Sequence, residues 1–162
     1  MHRINLIISS LFLLLLTPKL VAAADFQKGL DAALNRDYLT AAKEWKPLAD
    51  RGDATPQFQL GWLYQEGLGV TQDYKIAFYW YTRAAEQGYA FAHSALARMY
   101  EKGQGVPQDY SRAYLWYSIA SLLWDPDAKT GQNRVAKKMN QDQIGFAKKK
   151  ALLCIQKKYK DC

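Results

Sequence analysis

The 162-residue chain has only two histidines and two cysteines. His2 lies at the extreme N-terminus, so His93 stands alone in the rest of the chain. This excludes an imidazole metal cluster and the H-E-x-x-H zinc motif. The sequence also lacks the G-x-S-x-G nucleophile elbow, the phosphate-binding P-loop and the dinucleotide fingerprint. We therefore expect no cofactor, and we expect His93 to be an ordinary surface side chain or a hydrogen-bonded one.

Long apolar runs are absent as well. The longest one, Ile4 to Leu16, has thirteen residues, whereas a helix that spans a membrane needs about 20. It follows a basic start and is followed by Pro18 and by small residues at Ala22 and Ala24. This pattern is typical of a secretory signal peptide and predicts cleavage between Ala24 and Asp25. An uncleaved membrane anchor is the alternative.

Cleavage at that point would leave residues 25–162, which have the size of one domain. We therefore expect a periplasmic or secreted protein. Acidic residues are scarce only near its C-terminus: residues 127–162 hold ten Lys and Arg against three Asp and Glu, and residues 25–126 hold ten against twelve. The basic C-terminal helices would suit an acidic partner or an anionic membrane surface, and a solvated face is the alternative. Nucleic acid is not an expected partner, because the lysines are not interleaved with stacking aromatic residues.

What the chain does contain is an internal repeat. Residues 60–81 recur thirty-six residues later as residues 96–117, with the same Tyr, Gly-x-Gly-Val, Asp-Tyr, Ala and Trp-Tyr positions. A fixed period between about twenty and fifty residues is typical of a solenoid or another repeat array. Units of such an array bury their apolar faces against one another and leave an extended surface for binding.

Each full unit is predicted to be a pair of helices around a glycine turn. In the central unit, Thr55 is the expected N-cap of a first helix that runs to about Glu66. Gly69 then allows a positive φ in the turn. Asp73 is the expected N-cap of the second helix, and Gly88 ends that helix.

These residues resemble the Sel-one-like repeat (SLR) family, a subclass of the tetratricopeptide-like α/α solenoids. The family pattern, A-x-x-x-L-G-x-x-Y-x-x-G-x-G-V-x-x-D-Y-x-x-A-x-x-W-Y-x-x-A-A-x-x-G, is met nearly in full from Pro56 to Gly88. It is met again from Ala92 to Ala120, after which Trp124 stands where the pattern has glycine. We therefore expect the helix to continue where the glycine is missing, and the array to change character there. The resemblance implies an all-α solenoid of antiparallel helix pairs.

The chain is expected to form one repeat domain with a C-terminal cap. A looser first unit resembles the tetratricopeptide form and has its first helix from Phe26 to about Asn35. The cap is expected to contain two helices, the first from Pro126 to about Met139 and the second opened by an Asn140-x-x-Gln143 capping box. The expected units are residues 25–52, 54–88 and 90–124, followed by the cap at residues 125–162.

The resemblance implies a binding surface on the concave side, along the first helix of each unit. Trp62 is the leading candidate for an interface anchor, because Arg98 occupies the equivalent position and the fold therefore does not need an aromatic ring there. Packing of Trp62 on a neighbouring helix is the alternative. The residues carried over as partner-binding are Phe58, Trp62, Gln65 and Glu66, and in the next unit Ser94, Arg98, Glu101 and Lys102.

The function expected from these features is a non-catalytic scaffold or adaptor of the bacterial cell envelope that binds a protein or peptide. The alternative is a small periplasmic enzyme or ligand-binding protein acting on cell-wall glycan or peptide, since two carboxylates can meet in space without a sequence motif. Some exported SLR proteins are described as β-lactamases, but those are rich in cysteine. None of the repeats of this chain contains a cysteine, so that activity is not carried over.

The two cysteines, Cys154 and Cys162, lie close to the C-terminus, and an exported chain meets an oxidising compartment. On one straight helix their Cα atoms would be about 12 Å apart, and a disulfide needs about 4.4–6.8 Å. A bond therefore requires the last helix to end near Lys157 and the tail to fold back. We expect this disulfide, with free thiols in a frayed tail as the alternative.

Overall fold

The computed structural model describes residues 18–160 and Cys162, with side chains from Asp25 onward. Over these residues the secondary structure is helical, without strands. The helices are α1 (Pro18–Leu34), α2 (Tyr38–Asp50), α3 (Ala54–Glu66), α4 (Tyr74–Ala85), α5 (Ala90–Lys102), α6 (Tyr110–Leu122), α7 (Ala128–Ala136) and α8 (Gln141–Gln156). The prediction of an all-α fold is confirmed. None of these helices is long and apolar enough to cross a membrane.

The helices pack against one another in chain order. α1 lies on α2, α3 on α4 and α5 on α6, and these pairs stack through α2 with α3 and through α4 with α5. The last two helices depart from this order, because α7 and α8 both pack on α6. The second helix of the third pair is therefore covered from two sides.

One large ring fills the centre of each helix pair. Trp45, Tyr81 and Tyr117 are all nearly fully buried and stand thirty-six residues apart. Each ring needs a small residue opposite it: a Cβ added to Gly61 would lie 2.6 Å from the ring of Tyr81, and one added to Gly29 would collide with Trp45. The small residues of the repeat thus mark the places where a ring meets the backbone of another helix.

Each Gly-x-Gly turn connects the two helices of one pair and contacts the preceding pair. Gly69 and Gly105 have φ angles of 67° and 72°, which confirms the expected left-handed backbone. A Cβ on Gly105 would lie 2.5 Å from the carbonyl oxygen of Tyr74, the first residue of α4. Gly69 lies in the same way against the backbone of Tyr38 and Leu39 at the start of α2. Each turn therefore rests on the second helix of the preceding pair.

Aspartates cap the second helices as expected. Asp37, Asp73 and Asp109 each accept a hydrogen bond from a backbone N–H in the first turn of the helix that follows, at 2.8–3.1 Å. The predicted N-cap of the central first helix was wrong. α3 begins at Ala54 after Asp53, so Thr55 lies inside the helix.

The N-terminal helix begins earlier than predicted. α1 starts at Pro18 and not at Phe26, so the predicted cleavage point between Ala24 and Asp25 lies within it. Residues 1–17, which hold the predicted apolar run, lie outside the described part of the chain. Cleavage therefore stays a prediction.

The expectation that α6 continues where the glycine is missing was wrong. α6 ends at Leu122, and Trp124 has a φ of 66°, close to the 79° of Gly88 at the equivalent position. The N–H of Asp125 donates to the carbonyl of Ala120 at 3.0 Å and closes the turn. Packing of α7 on α6 thus keeps the turn and places a tryptophan in a backbone conformation that normally favours glycine.

The C-terminal helices follow the prediction in part. α7 runs from Ala128 to Ala136 and is shorter than the expected Pro126 to Met139. α8 opens with the predicted capping box, in which Asn140 and Gln143 exchange two hydrogen bonds of 2.9 Å.

The predicted disulfide is present. α8 ends at Gln156, and Lys158 and Tyr159 then turn the chain back with φ angles of 53° and 66°. The Cα atoms of Cys154 and Cys162 are 5.2 Å apart and their sulfurs are bonded. Two residues with left-handed backbone make the fold-back that no glycine or proline marks in the sequence.

Candidate protein-interaction surfaces

The predicted first-helix surface is partly occupied by contacts within the protein. Phe58 is half-buried in a cluster of rings, with centroids 5.5 Å from Tyr81 and 5.1 Å from Tyr89. Trp62 is half-buried and meets Tyr38 edge to face at 5.9 Å. Both aromatic residues therefore have a packing role, and each exposes part of its surface.

Gln65 and Glu101 hold the hydroxyl groups of the central rings. The hydroxyl of Tyr81 donates to Oε1 of Gln65 at 3.2 Å, and that of Tyr117 donates to Oε2 of Glu101 at 2.9 Å. Burial raises the pKa of Tyr81 above its ordinary value. Burial and the hydrogen bond to Glu101 raise the pKa of Tyr117 in the same way. Each acceptor therefore provides the hydrogen-bond partner for the tyrosine hydroxyl of its own unit.

Glu101 also ties the third pair to α7. Nε and Nη2 of Arg134 donate to its two carboxylate oxygens at 2.6 and 2.8 Å. This bidentate bond lowers the pKa of Glu101, and the hydrogen bond from Tyr117 acts in the same direction. Two of the predicted partner-binding residues, Gln65 and Glu101, are thus engaged in intramolecular contacts.

Ser94 does not contribute to an accessible surface. Its side chain is buried, and its hydroxyl oxygen has no hydrogen-bond partner among the described residues. The prediction that Ser94 faces the groove was wrong, because the neighbouring helices cover it. Glu66 and Lys102 are exposed and Arg98 is half-buried, so these three residues remain accessible to a partner, and Oε1 of Glu66 accepts from Nε2 of Gln65 at 2.7 Å.

His93 is neither on the surface nor hydrogen-bonded, contrary to the prediction. It is fully buried, and neither ring nitrogen has a hydrogen-bond partner among the described residues. The ring stacks on Trp116 at 5.5 Å and meets Tyr159 at 5.1 Å. Burial lowers the pKa of His93 to about 4.

The position equivalent to His93 in the central unit is also buried. It holds Gln57, whose amide nitrogen donates to the carbonyl of Ala49 at 3.0 Å and whose oxygen accepts from Gln87 at 2.8 Å. The repeat thus places a polar side chain inside the protein at this position in both units. A polar residue at a repeat position is ordinarily taken as exposed, so the sequence offered no signal for its burial.

A groove of about 860 Å³ lies along α4, outside the predicted surface. Tyr79 is half exposed there, and Nη1 of Arg83 donates to its hydroxyl at 3.0 Å with the guanidinium 5.8 Å from the ring centre. The groove is lined by Gly52, Phe78, Tyr79, Thr82, Arg83, Glu86, Gln87 and Lys160. We call this surface the α4 groove.

The α4 groove was missed in the sequence because its walls are distant in the chain. Gly52 comes from the end of the first pair, and Lys160 comes from the tail that the disulfide folds back. Only the face of α4 itself is visible as a helical pattern. In the described part of the chain, no group of three His, Cys, Asp or Glu residues is placed to hold a metal ion.

Stacked helix pairs with glycine turns and one central ring per pair define an α/α solenoid. The Sel1 repeat family model matches residues 57–89 and 90–123. The chain therefore contains two Sel1 repeats, which confirms the resemblance. Proteins with this repeat generally mediate protein–protein interactions.

Two solved structures support the same fold. The first is c5321, a protective antigen present in uropathogenic Escherichia coli strains and displaying an SLR fold, with a TM-score of 0.80, 27% identity and 85% of this chain covered. The second is a Sel1 repeat protein from Oxalobacter formigenes, with a TM-score of 0.68, 27% identity and 81% of this chain covered. The chain spans 31% of the first protein and 58% of the second. No curated protein sequence matches the chain.

Proposed function

We propose that this protein is a non-catalytic adaptor of the bacterial cell envelope that binds a segment of a protein partner in the α4 groove. The observation that carries the proposal is the pair formed by Tyr79 and Arg83, which is held ready on the exposed face of α4. Tyrosine and arginine are enriched among residues that dominate binding energy at protein interfaces. The hydrogen bond between them fixes both side chains before a partner arrives, which reduces the entropy lost on binding.

The groove is a better candidate than the predicted first-helix surface. On that surface Ser94 is buried, and the side chains of Gln65 and Glu101 bond to buried tyrosines. A partner would have to compete with these contacts. The α4 groove offers an aromatic ring and a guanidinium on one helix, so it requires no rearrangement of the core.

The lining residues indicate the chemistry of the partner segment. Phe78 and Tyr79 offer apolar surface, and the cations of Arg83 and Lys160 stand at the same groove. We propose a segment that places an apolar side chain on the rings and a carboxylate near the two cations. Charge-assisted bonds from arginine to carboxylate are among the stronger hydrogen bonds in proteins.

The proposed location outside the cytoplasm rests on two observations. Residues 1–24 have the pattern of a signal peptide, and the disulfide between Cys154 and Cys162 suits an oxidising compartment. The alternative, an enzyme acting on cell-wall glycan, has less support. Glycoside hydrolysis ordinarily uses two carboxylates, and Glu86 is the one carboxylate among the described lining residues.

The test is capture of partners from an envelope extract by the tagged protein, with mass spectrometry of what co-elutes. Once a partner is identified, Tyr79→Ala and Arg83→Ala should each weaken its binding by about 1–3 kcal/mol. Ile76→Ala is the matched control, because Ile76 is exposed on the same helix and does not line the groove. If Trp62→Ala and Arg98→Ala abolish binding and the groove variants do not, the first-helix surface is the binding site.

A further inference from the structure

Trp124 is the most exposed large apolar residue of the described chain, and its backbone is strained. The side chain is 92% exposed, and its φ of 66° lies in the left-handed region. Gly52 and Gly88 take the equivalent turn positions of the two preceding pairs, each with a positive φ. Glycine is thus the residue that this turn favours. Because Trp124 is so exposed and its backbone is strained, glycine at this position would support the fold at least as well.

The end of α6 that leads to Trp124 borders a depression with both apolar and basic residues. Close to Trp124 in the chain, Leu122 is 57% exposed, and Leu152 of α8 is 57% exposed. These two leucines share a shallow depression of about 300 Å³ with Lys129 and Lys148. Within residues 127–162, ten Lys and Arg stand against three Asp and Glu. This end of the protein therefore presents exposed apolar tips among an excess of positive charge.

We propose that this tip, formed by Leu122, Trp124, Lys129, Lys148 and Leu152, docks on an anionic phospholipid surface. Tryptophan prefers the level of the lipid headgroups, where its apolar ring and polar N–H are both satisfied. Lys129 and Lys148 are exposed and can hold phosphate groups beside it. Apolar contact and charge each give weak membrane binding, and the two together give a stable but reversible one.

A lipid surface fits these observations better than a protein partner does. The depression is shallow, and the side chain of Trp124 is 92% exposed. A protein interface places its anchors in packed, water-excluding pockets, whereas a headgroup region accommodates a protruding ring without shape complementarity. The proposal does not depend on the α4 groove, because the two surfaces share no lining residue.

The experiment measures binding of the full chain to sedimented vesicles of phosphatidylcholine with and without phosphatidylglycerol. Wild type should bind the anionic vesicles, and Trp124→Gly should weaken this binding at least about tenfold. Each of Lys129→Gln and Lys148→Gln should weaken it by about fivefold. Binding should also fall as the salt concentration rises.

Matched control variants establish that the vesicles bind this tip and not another part of the protein. Phe91→Ala removes a half-exposed ring elsewhere, and Lys43→Gln and Lys75→Gln remove the same charge from exposed positions in the repeats, so these variants should bind as wild type does. All variants keep the same N-terminal segment, so any lipid affinity of residues 4–16 cancels in the comparison. Trp124→Gly restores the residue that the turn favours, so a loss of binding reflects the ring and not misfolding.

Equal binding of anionic vesicles by wild type and Trp124→Gly would overturn the proposal. So would a finding that Trp124→Gly leaves lipid binding unchanged and instead dissociates a dimer or releases a captured protein. In that case the tip is a protein interface.

Discussion

Tyr159 of the C-terminal tail lies directly against Gly88, the turn residue of the central unit. A Cβ on Gly88 would be 2.8 Å from Cε2 of the Tyr159 ring, and the same ring contacts His93 at 5.1 Å. Tyr159 is within the loop that the bond between Cys154 and Cys162 closes. The disulfide therefore fixes the tail onto a repeat more than sixty residues earlier in the chain.

Reduction of the disulfide should destabilise the protein. Closing a loop of this length lowers the entropy of the unfolded chain by an amount worth about 2–3 kcal/mol, and release of the tail also uncovers His93. Urea denaturation of the oxidised and reduced protein measures the difference. Cys162→Ser is the control and should respond no further to reductant. Equal midpoints for oxidised and reduced protein would show that the disulfide does not stabilise the fold.

Stability should fall as the pH is lowered from 6.5 to 4 because of His93. Its pKa is about 4 in the folded protein and 6.5 in an unfolded chain. Between these values the unfolded state binds a proton that the folded state does not, so acid favours unfolding. The loss in the free energy of unfolding approaches about 3 kcal/mol once the pH is below both pKa values. Urea midpoints measured across this range give the slope.

The control for this prediction is His93→Gln, which places in the third pair the residue that the central unit has at Gln57. Glutamine does not titrate, so the slope between pH 6.5 and 4 should flatten. Glu101 makes a separate contribution at lower pH. Its pKa is depressed below 4.5, so the stability that it provides is lost as the pH falls through that region. An unchanged slope in the variant would assign the acid sensitivity to other groups.

Gly105→Val should be strongly destabilising. The left-handed backbone and the approach to Tyr74 both exclude a branched side chain, so the cost should exceed the roughly 1 kcal/mol of a helix propensity effect. Gly145→Val is the matched control, because a Cβ at Gly145 meets nothing within 4 Å. Thermal melts of the two variants compare the positions. Gly69→Val should behave as Gly105→Val does, and a melt coinciding with wild type would refute the role of the turn.

Trp124→Gly should stabilise the protein by about 1 kcal/mol, because it relieves the left-handed strain of a side chain that makes little contact. Trp124→Ala removes the ring and keeps the strain, so it should show no comparable gain. Chemical denaturation of the three proteins tests this. A loss of stability in Trp124→Gly would mean that the ring supports the fold.

Export should remove residues 1–24. N-terminal sequencing of the protein recovered outside the cytoplasm should begin at Asp25, because Ala22 and Ala24 are the small residues that the peptidase reads. Recovery of an intact Met1 would contradict the prediction.

The repeat pattern predicted the features that depend on local backbone chemistry. Asp73 and Asp109 cap helices, and Gly69 and Gly105 have positive φ, because a cap or a left-handed turn demands a particular residue at a particular place. The disulfide was expected from the oxidising compartment, and the distance along a straight helix predicted the fold-back that the bond requires. Each of these features is determined by a few residues that are close together in the chain.

The features that were missed depend on packing between units. His93 and Ser94 are polar, and only the neighbouring helices and the tail determine that they are buried. Trp124 was expected to extend α6, but tertiary contacts kept the turn that glycine makes elsewhere. The α4 groove needs Gly52 and Lys160 to meet, and no local pattern records a meeting of residues so far apart in the chain.

The Gly-x-Gly turns also give the array a direction. Gly69 rests on the start of α2 and Gly105 on the start of α4, so each turn is supported by a helix that precedes it in the chain. A chain delivered from its N-terminal end presents the support before the turn that needs it. The units can therefore assemble in the order of their synthesis. Loss of the first pair would deprive the next turn of its support, whereas loss of the last pair would leave the earlier turns intact.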